Sequence, residues 1–149
     1  ELSAKMLCDK HIPKMLLESA QMLSTAVQNY TGRIEELYKP AYPNHPMTKW
    51  VGSTFSNFQW ALENAVYISD EYTKRFKKLH KSSRILNVIY DNQYYKDIPD
   101  ERFTEPPQCM PNEYRDTDYV TAYRRYYNND KKYFAKWEKG RSCPEWWVQ

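Results

Sequence analysis

Residues 53–79 read STFSNFQWALENAVYISDEYTKRFKKL, and this stretch decides the fold class. Its apolar positions recur every three or four residues, a period that predicts one long amphipathic helix ending near Leu79. The positions on the predicted apolar face are Phe55, Phe58, Leu62, Ala65, Val66, Ser69, Tyr72 and Phe76. Ser53 or Thr54 can cap the first turn, because a side-chain hydroxyl accepts a hydrogen bond from a free backbone N–H. No alternating strand pattern competes with this helix.

A second long helix is predicted upstream, between about Ser3 and Gln28. Its apolar face carries Ile12, Leu16, Ser19, Ala20, Leu23, Ala26 and Val27. Pro13 lacks a backbone donor, so it fits the first turn of a helix better than an established one. We therefore favour a start near Asp9. Residues 29–32 read as the stop of this helix.

The rest of the chain predicts shorter helices joined by loops. Residues 84–92 and 116–137 have helical periodicity, whereas residues 38–46 and 97–114 are rich in proline and read as ordered loops. The tryptophans at the end of the chain are expected to dock, because exposed pairs of Trp promote aggregation. The sequence thus predicts an all-α, compact single-domain helical fold with two long helices and long Pro-rich loops.

Length and composition limit the class of protein. The chain has 149 residues, which fits one helical domain, and its 22 Lys and Arg against 19 Asp and Glu make it only mildly basic. The three cysteines are scattered, so neither a disulfide framework nor a zinc knuckle is predicted, and no cofactor is indicated. Without an 18-residue apolar stretch or a leader, we expect a cytoplasmic protein with no membrane partner, in the host cytoplasm if a phage encodes it. Since Glu1 is no initiator Met, we expect natural residues to precede it.

One segment of the chain concentrates positive charge. Between Thr73 and Tyr90 there is no acidic residue, but there are seven basic ones: Lys74, Arg75, Lys77, Lys78, His80, Lys81 and Arg84. On a continuous helix most of these fall on one side and Leu79 on the other. The run predicts binding to the phosphate backbone of DNA or RNA. The alternative is a solvated helix end whose cations complement the helix dipole.

Two residues of this basic segment, Arg75 and His80, each have a second possible role. Arg75 lies toward the apolar side of its helix, so it is either paired internally or in contact with a bound phosphate. The alternative role for His80 is one more cation beside the lysines.

Three further residues are candidates for catalysis. Glu18 is either an ordinary surface partner of Lys14 or a carboxylate that faces a cleft and does acid/base work. His11 and His45 are the other candidates, and the alternative for His45 is a helix cap between two prolines. The histidine spacings match no compact metal motif, so no metal site is predicted.

Several short motifs resemble known proteins. They are Cys8-Asp9-Lys10-His11, Lys14-Met15-x-x-Glu18, Tyr38-Lys39, Asn44-His45-Pro46, Trp50, Glu71-Tyr72-x-x-Arg75, Pro106-Pro107-Gln108-x-Met110-Pro111 and Lys136-Trp137. Over nearly the whole chain they resemble small uncharacterised phage proteins. The first half is more distantly similar to pyrimidine-dimer DNA glycosylases of the endonuclease V class.

The glycosylase resemblance implies a compact all-helical enzyme. In that class the N-terminal α-amine attacks the sugar C1′ and forms an imine, and a first-helix glutamate assists; Glu18 matches that glutamate. The nucleophile there is the mature first residue, and Glu1 reads as an internal residue. The nucleophile is therefore not assigned.

These observations favour a phage-type DNA-binding protein related to base-excision DNA glycosylases, acting on damaged or modified DNA. Tyr42, Trp50 and Trp60 are candidates to stack on an unpaired or flipped base. One alternative is a non-enzymatic module that binds nucleic acid or an acidic protein. Another is a virion or assembly component, whose Tyr- and Trp-rich C-terminal half forms an interface. The sequence does not indicate an oligomeric state.

Overall fold

The structure is a computed structural model that describes residues 1–148 of the chain. In this part there are six α-helices, one 3-10 turn and no strand. The helices are α1 (Leu2–Met6), α2 (His11–Thr31), α3 (Pro46–Ser53), α4 (Phe55–Phe76), α5 (Lys81–Asp91) and α6 (Tyr119–Asp130), and the 3-10 turn is Asn112–Tyr114. The prediction of a compact all-α fold with two long helices is confirmed.

The core lies where α2 and α4 pack together, with α3 and α5 against them. Leu16 and Leu23 from α2 and Phe58 from α4 are fully buried there, and Ile89 extends the same core into α5. Each such side chain contributes about 1.5–3 kcal/mol by leaving water. At Gly52 a Cβ would lie 3.3 Å from the Cβ of Ala26, so the missing side chain lets α3 approach α2 closely.

The start of α2 agrees with the favoured sequence prediction. The helix begins at His11, and Pro13 is its third residue, where a backbone N–H has no partner within the helix. A separate short helix, α1, precedes it. At the other end Gly32 has a φ of +78°, a conformation that favours glycine, and α2 stops there.

The end of α4 differs from the prediction. The helix stops at Phe76, because Lys77 adopts a left-handed conformation (φ 57°, ψ 31°) and its N–H bonds back to the carbonyl of Thr73. A new helix, α5, begins at Lys81, three residues earlier than predicted. Leu79 therefore lies in the connecting turn and is 78% exposed, not packed on the apolar side of a continuous helix.

The chain after α5 packs against the preceding helices at several points. As predicted, residues 97–114 form a loop that contains only the short 3-10 turn, and it is held to α4 by a hydrogen bond from the N–H of Phe55 to the carbonyl of Pro99 (2.8 Å). The last helix is shorter than predicted, since it begins after the cap Asp118 and ends at Asp130. After Asp130 the chain returns to the N-terminal segment, where Trp137 donates to the carbonyl of Met6 (3.1 Å).

The C-terminal tryptophans dock as predicted. Trp146 and Trp147 are half-buried, and both rings meet the ring of Tyr127 edge-on.

Helix α3 is absent from the sequence prediction, which ends the first Pro-rich loop at Pro46. In the structure it is the first residue of the helix, the position where its missing N–H costs nothing.

Candidate nucleic-acid interface

Five cations surround the turn that joins α4 to α5, and we call them the basic surface. They are Lys74, Lys77, Lys78, Lys81 and Arg84. All five are exposed, and within residues 1–148 none of them forms an ion pair. The break in the helix at Lys77 distributes them over the end of α4, the turn and the start of α5. They form a patch around the α4–α5 turn, whereas the sequence predicts a ridge along one helix.

A sixth cation joins this region from a distant part of the sequence. The Nζ of Lys139 lies 5.4 Å from the centre of the Phe76 ring, at the end of α4. Nothing in the local sequence pattern predicts this neighbour, because 63 residues separate it from Phe76. It is brought there by the folding of the C-terminal segment against the N-terminal one.

His80 has a different role from the five cations. Its Nδ1 accepts a hydrogen bond from the N–H of Ser82 (3.1 Å), so it caps α5, and its ring meets the ring of Tyr72 edge-on at 4.8 Å. Partial burial lowers the pKa of His80, and the nearby Lys78 lowers it further. His80 is therefore neutral near pH 7 and adds no positive charge to the basic surface.

Arg75 does not belong to the surface, which corrects its assignment to the nucleic-acid-binding set. Its side chain is only 1% exposed and pairs with Glu71 and Asp9, each at 3.0 Å. It also donates to the carbonyls of Leu7 and Lys5, both at 2.8 Å. Four of the five guanidinium N–H groups are thus used inside the protein. Internal pairing is the alternative that the structure shows.

The two carboxylates that hold Arg75 also hold the C-terminal segment. Glu71 accepts from the Nε of Arg141 (3.1 Å), while Asp9 accepts from the backbone N–H groups of Glu138 (2.6 Å) and Lys139 (3.1 Å). The hydrogen bond from Arg141 lowers the pKa of Glu71 most, and the hydrogen bond from Arg75 lowers it further. This network fixes Lys139 beside the basic surface.

His11, a candidate catalytic residue, is buried in an aromatic pocket. Its ring lies 5.2 Å from that of Tyr127 and 5.0 Å from that of Phe134, and its Nδ1 has no hydrogen-bond partner among the described residues. Burial lowers the pKa of His11 to about 4, and the charges of Lys14, Lys131 and Lys10 act in the same direction. The imidazole is therefore neutral at pH 7, and it is a weak base.

The other two candidate catalytic residues have ordinary local partners. Glu18 lies on the exposed side of α2 and pairs with Lys14 at 3.8 Å. The Nδ1 of His45 accepts from the N–H of Met47 (3.1 Å) and so caps α3. Within residues 1–148 no hydrogen bond or ion pair joins Glu18, His11 and His45 to one another. The geometry does not assemble them into one catalytic group.

The three candidate stacking residues differ in their access to solvent. Trp50 is buried, with its indole N–H bonded to the carbonyl of Thr104 (3.1 Å), which corrects its assignment as a stacking residue. Trp60 is 44% exposed and makes a T-shaped contact with Trp50 at 5.7 Å, so part of its ring is already in contact with the protein. Tyr42 is 79% exposed in the first Pro-rich loop. Of these three candidates, Tyr42 and Trp60 are accessible to a base.

The structure also bears on metal binding, disulfide bonds and membrane spans. Among residues 1–148, no group of three or more His, Cys, Asp or Glu side chains is placed to hold a metal ion. Cys8, Cys109 and Cys143 are free thiols. None of the helices in the described part combines the length and apolar character needed to cross a lipid bilayer.

Comparison of the chain with protein-family models, with curated proteins and with solved structures finds no match.

Proposed function

We propose that this protein binds nucleic acid, with the basic surface in contact with the phosphate backbone. The observation that carries the proposal is the set of five exposed cations around the α4–α5 turn, none of which is neutralised by an ion pair within the described residues. Cations arranged in this way attract a polyanion and release its condensed counterions on binding.

Helix stability does not explain this arrangement. Lys74 lies in the last turn of α4, where a cation complements the helix dipole. Lys81 and Arg84, however, lie within the first four residues of α5, and the first turn of that helix has no acidic residue. Cations at a helix N-terminus face its positive end, which costs a few tenths of a kcal/mol or more for each. A ligand with negative charge offsets this cost.

Binding of nucleic acid is the function proposed for this surface. Base excision stays a prediction that follows from the glycosylase resemblance. Asp9, Glu71 and Arg75, three of the residues that carry the resemblance, form the buried network and thus support the fold. Glu18 pairs with Lys14 on the surface. A non-enzymatic binding module therefore fits the geometry best.

The test is a salt titration of binding to duplex DNA. If the basic surface neutralises about four phosphates, the logarithm of the affinity falls with the logarithm of the salt concentration with a slope near −3 to −4. Replacing Lys74, Lys77, Lys78 and Lys81 together by Gln removes most of this slope. The four side chains are exposed, so helicity and melting temperature stay as in the wild type.

A matched control removes the same charge elsewhere. Lys39, Lys49, Lys96 and Lys132 are also exposed and lie outside the basic surface. Their joint replacement by Gln leaves most of the slope in place. Equal binding by the surface variant and the wild type, or equal losses in the two quadruple variants, would refute the proposal.

A further inference from the structure

A groove runs along the outer side of the α4–α5 pair and leads into the basic surface. It consists of two adjoining depressions of about 290 and 520 Å³, both of which are lined by Val66. The first is lined by Phe55, Tyr67, Tyr90 and Tyr95, and the second by Lys74, Leu79 and Ser83. Along α4 the groove extends from Phe55 to Lys74, about 28 Å at the rise of an α-helix.

The two ends of the groove differ in chemistry. The first end is aromatic, and the second opens at Lys74, next to Lys77 and Lys78 in the turn. The two helices that form the groove are joined at its second end, where the hydroxyl groups of Ser69 and Ser83 form a hydrogen bond of 2.7 Å between α4 and α5. The groove is thus a preformed path from stacking surfaces to cations.

The apolar groups along this path face solvent. Tyr90 is 66% exposed, Leu79 78% and Val66 42%. Tyr95, which also lines the aromatic end, is less exposed and contacts the rings of Phe55 (5.7 Å) and Phe58 (5.9 Å). Aromatic rings that are open to water and a row of cations along the same groove are the two components of sequence-tolerant binding to single strands.

We infer that the groove binds single-stranded nucleic acid, with unpaired bases stacked at the aromatic end around Tyr90 and the backbone phosphates along the lysines. This inference rests on the proposed function and names its ligand. A duplex keeps its base faces stacked on one another, so only its phosphates can use this site. A single strand can use both ends of the groove. The attraction between its phosphates and the cations then adds to the free energy of base stacking.

Two acidic groups determine where the phosphates lie. Asp70 lines the polar end between Val66 and Lys74, whereas Glu63, at the aromatic end, accepts a hydrogen bond from Gln59 (3.0 Å). A carboxylate repels phosphate, and Asp70 lies one helical turn before Lys74 on the same face of α4, so the backbone reaches Lys74 from the side of the turn that carries Lys77 and Lys78. Asp70→Asn is then expected to strengthen binding of a single strand by a few fold.

The experiment compares a labelled oligodeoxythymidine strand with a duplex of the same length by fluorescence anisotropy, using the full chain. We expect Tyr90→Ala to weaken binding of the strand by about 5-fold to 150-fold, the range expected for loss of one base–aromatic stack, and to leave duplex binding unchanged. Tyr90→Phe keeps the ring and restores binding. The matched control is Tyr133→Ala, since Tyr133 is 85% exposed and is absent from both depressions.

The outcomes separate this inference from the proposed function. If duplex binding depends on the lysines but Tyr90→Ala has no effect on the strand, or affects strand and duplex equally, the inference fails and the proposed function stands. If neither nucleic acid binds, both fail. If an acidic amphipathic peptide perturbs the resonances of Tyr90 and Val66 and the strand does not, the groove is a peptide site and the inference is overturned.

Discussion

The guanidinium of Arg75 meets the carboxylate of Asp9 at 3.0 Å, although 66 residues separate the two in the sequence. Both side chains are nearly inaccessible, with 1% and 12% of their surfaces exposed. Removing Arg75 takes from Asp9 its one ion-pair partner among the described residues and from Glu71 one of two, since Arg141 still pairs with Glu71. We expect Arg75→Met to lower the free energy of unfolding by about 3 kcal/mol or more, measured by urea denaturation.

The neighbouring Lys74 provides the control for this change. It is exposed and has no ion pair in the described structure, so Lys74→Met is expected to alter the free energy of unfolding by about 0.5 kcal/mol or less. If Arg75→Met were equally mild but abolished binding of nucleic acid, Arg75 would be a phosphate ligand after all.

The burial of His11 makes stability depend on pH. Its pKa is about 4 in the folded protein and 6.5 for an unperturbed histidine, so the unfolded chain binds more protons between these values. Stability is therefore complete above about pH 6.5 and falls as the pH decreases toward 4, by about 3 kcal/mol from this residue. Thermal or urea unfolding at a series of pH values measures the loss.

Two variants identify the residue responsible. His11→Leu suits the aromatic pocket and is expected to flatten the decline between pH 6.5 and 4, whereas His80→Asn keeps the helix cap and most of the decline. Glu71 adds its own loss at lower pH, because its lowered pKa stabilises the fold only while the carboxylate is ionised. An unchanged pH profile in His11→Leu would show that His11 is not the source.

The parts of the structure that follow local periodicity could be predicted from the sequence, and those that follow tertiary contacts could not. The apolar faces of α2 and α4 identified both long helices, and Pro13 identified the start of α2. The left-handed residue at Lys77 could not be foreseen, since a lysine is a good helix former and gives no stop signal. Because the helix ends there, the cations surround the α4–α5 turn instead of forming a line along one helix.

In the candidate site, too, the features set by local sequence could be predicted and those set by tertiary contacts could not. Its cations were identified because they are close in sequence, but Lys139 reaches them only through contacts between Asp9 and residues 138–139. The groove also escaped prediction. Tyr90 and Val66 lie on separate helices, and their proximity depends on how α4 packs against α5.

We expect the fold to be independent of metal ions. The histidines lack the local spacing of a structural zinc site, and Cys8, Cys109 and Cys143 lie far apart in the sequence. Treatment with a chelator is therefore expected to leave the melting temperature unchanged. Elemental analysis that finds one tightly held zinc per chain, lost together with the fold on chelation, would contradict this expectation.

The pairing of Glu18 with Lys14 gives the prediction that bears most directly on catalysis. Exposed pairs one helical turn apart contribute only a few tenths of a kcal/mol, so Glu18→Gln is expected to change the free energy of unfolding by well under about 1 kcal/mol. We also expect DNA affinity to stay the same, because Glu18 lies outside the basic surface and the groove.

Base release by the protein distinguishes the two roles of Glu18. The glycosylase resemblance implies cleavage of damaged or modified DNA, a covalent protein–DNA adduct trapped by borohydride, and a loss of about a hundredfold or more in Glu18→Gln, the scale of a positioned acid/base group. A surface pair implies that the substitution leaves any such activity unchanged. Because the only ionic partner of Glu18 in the described residues is Lys14, we expect the second result. A trapped adduct in the wild type, together with a hundredfold loss in Glu18→Gln but not in Lys14→Gln, would instead assign catalysis to Glu18.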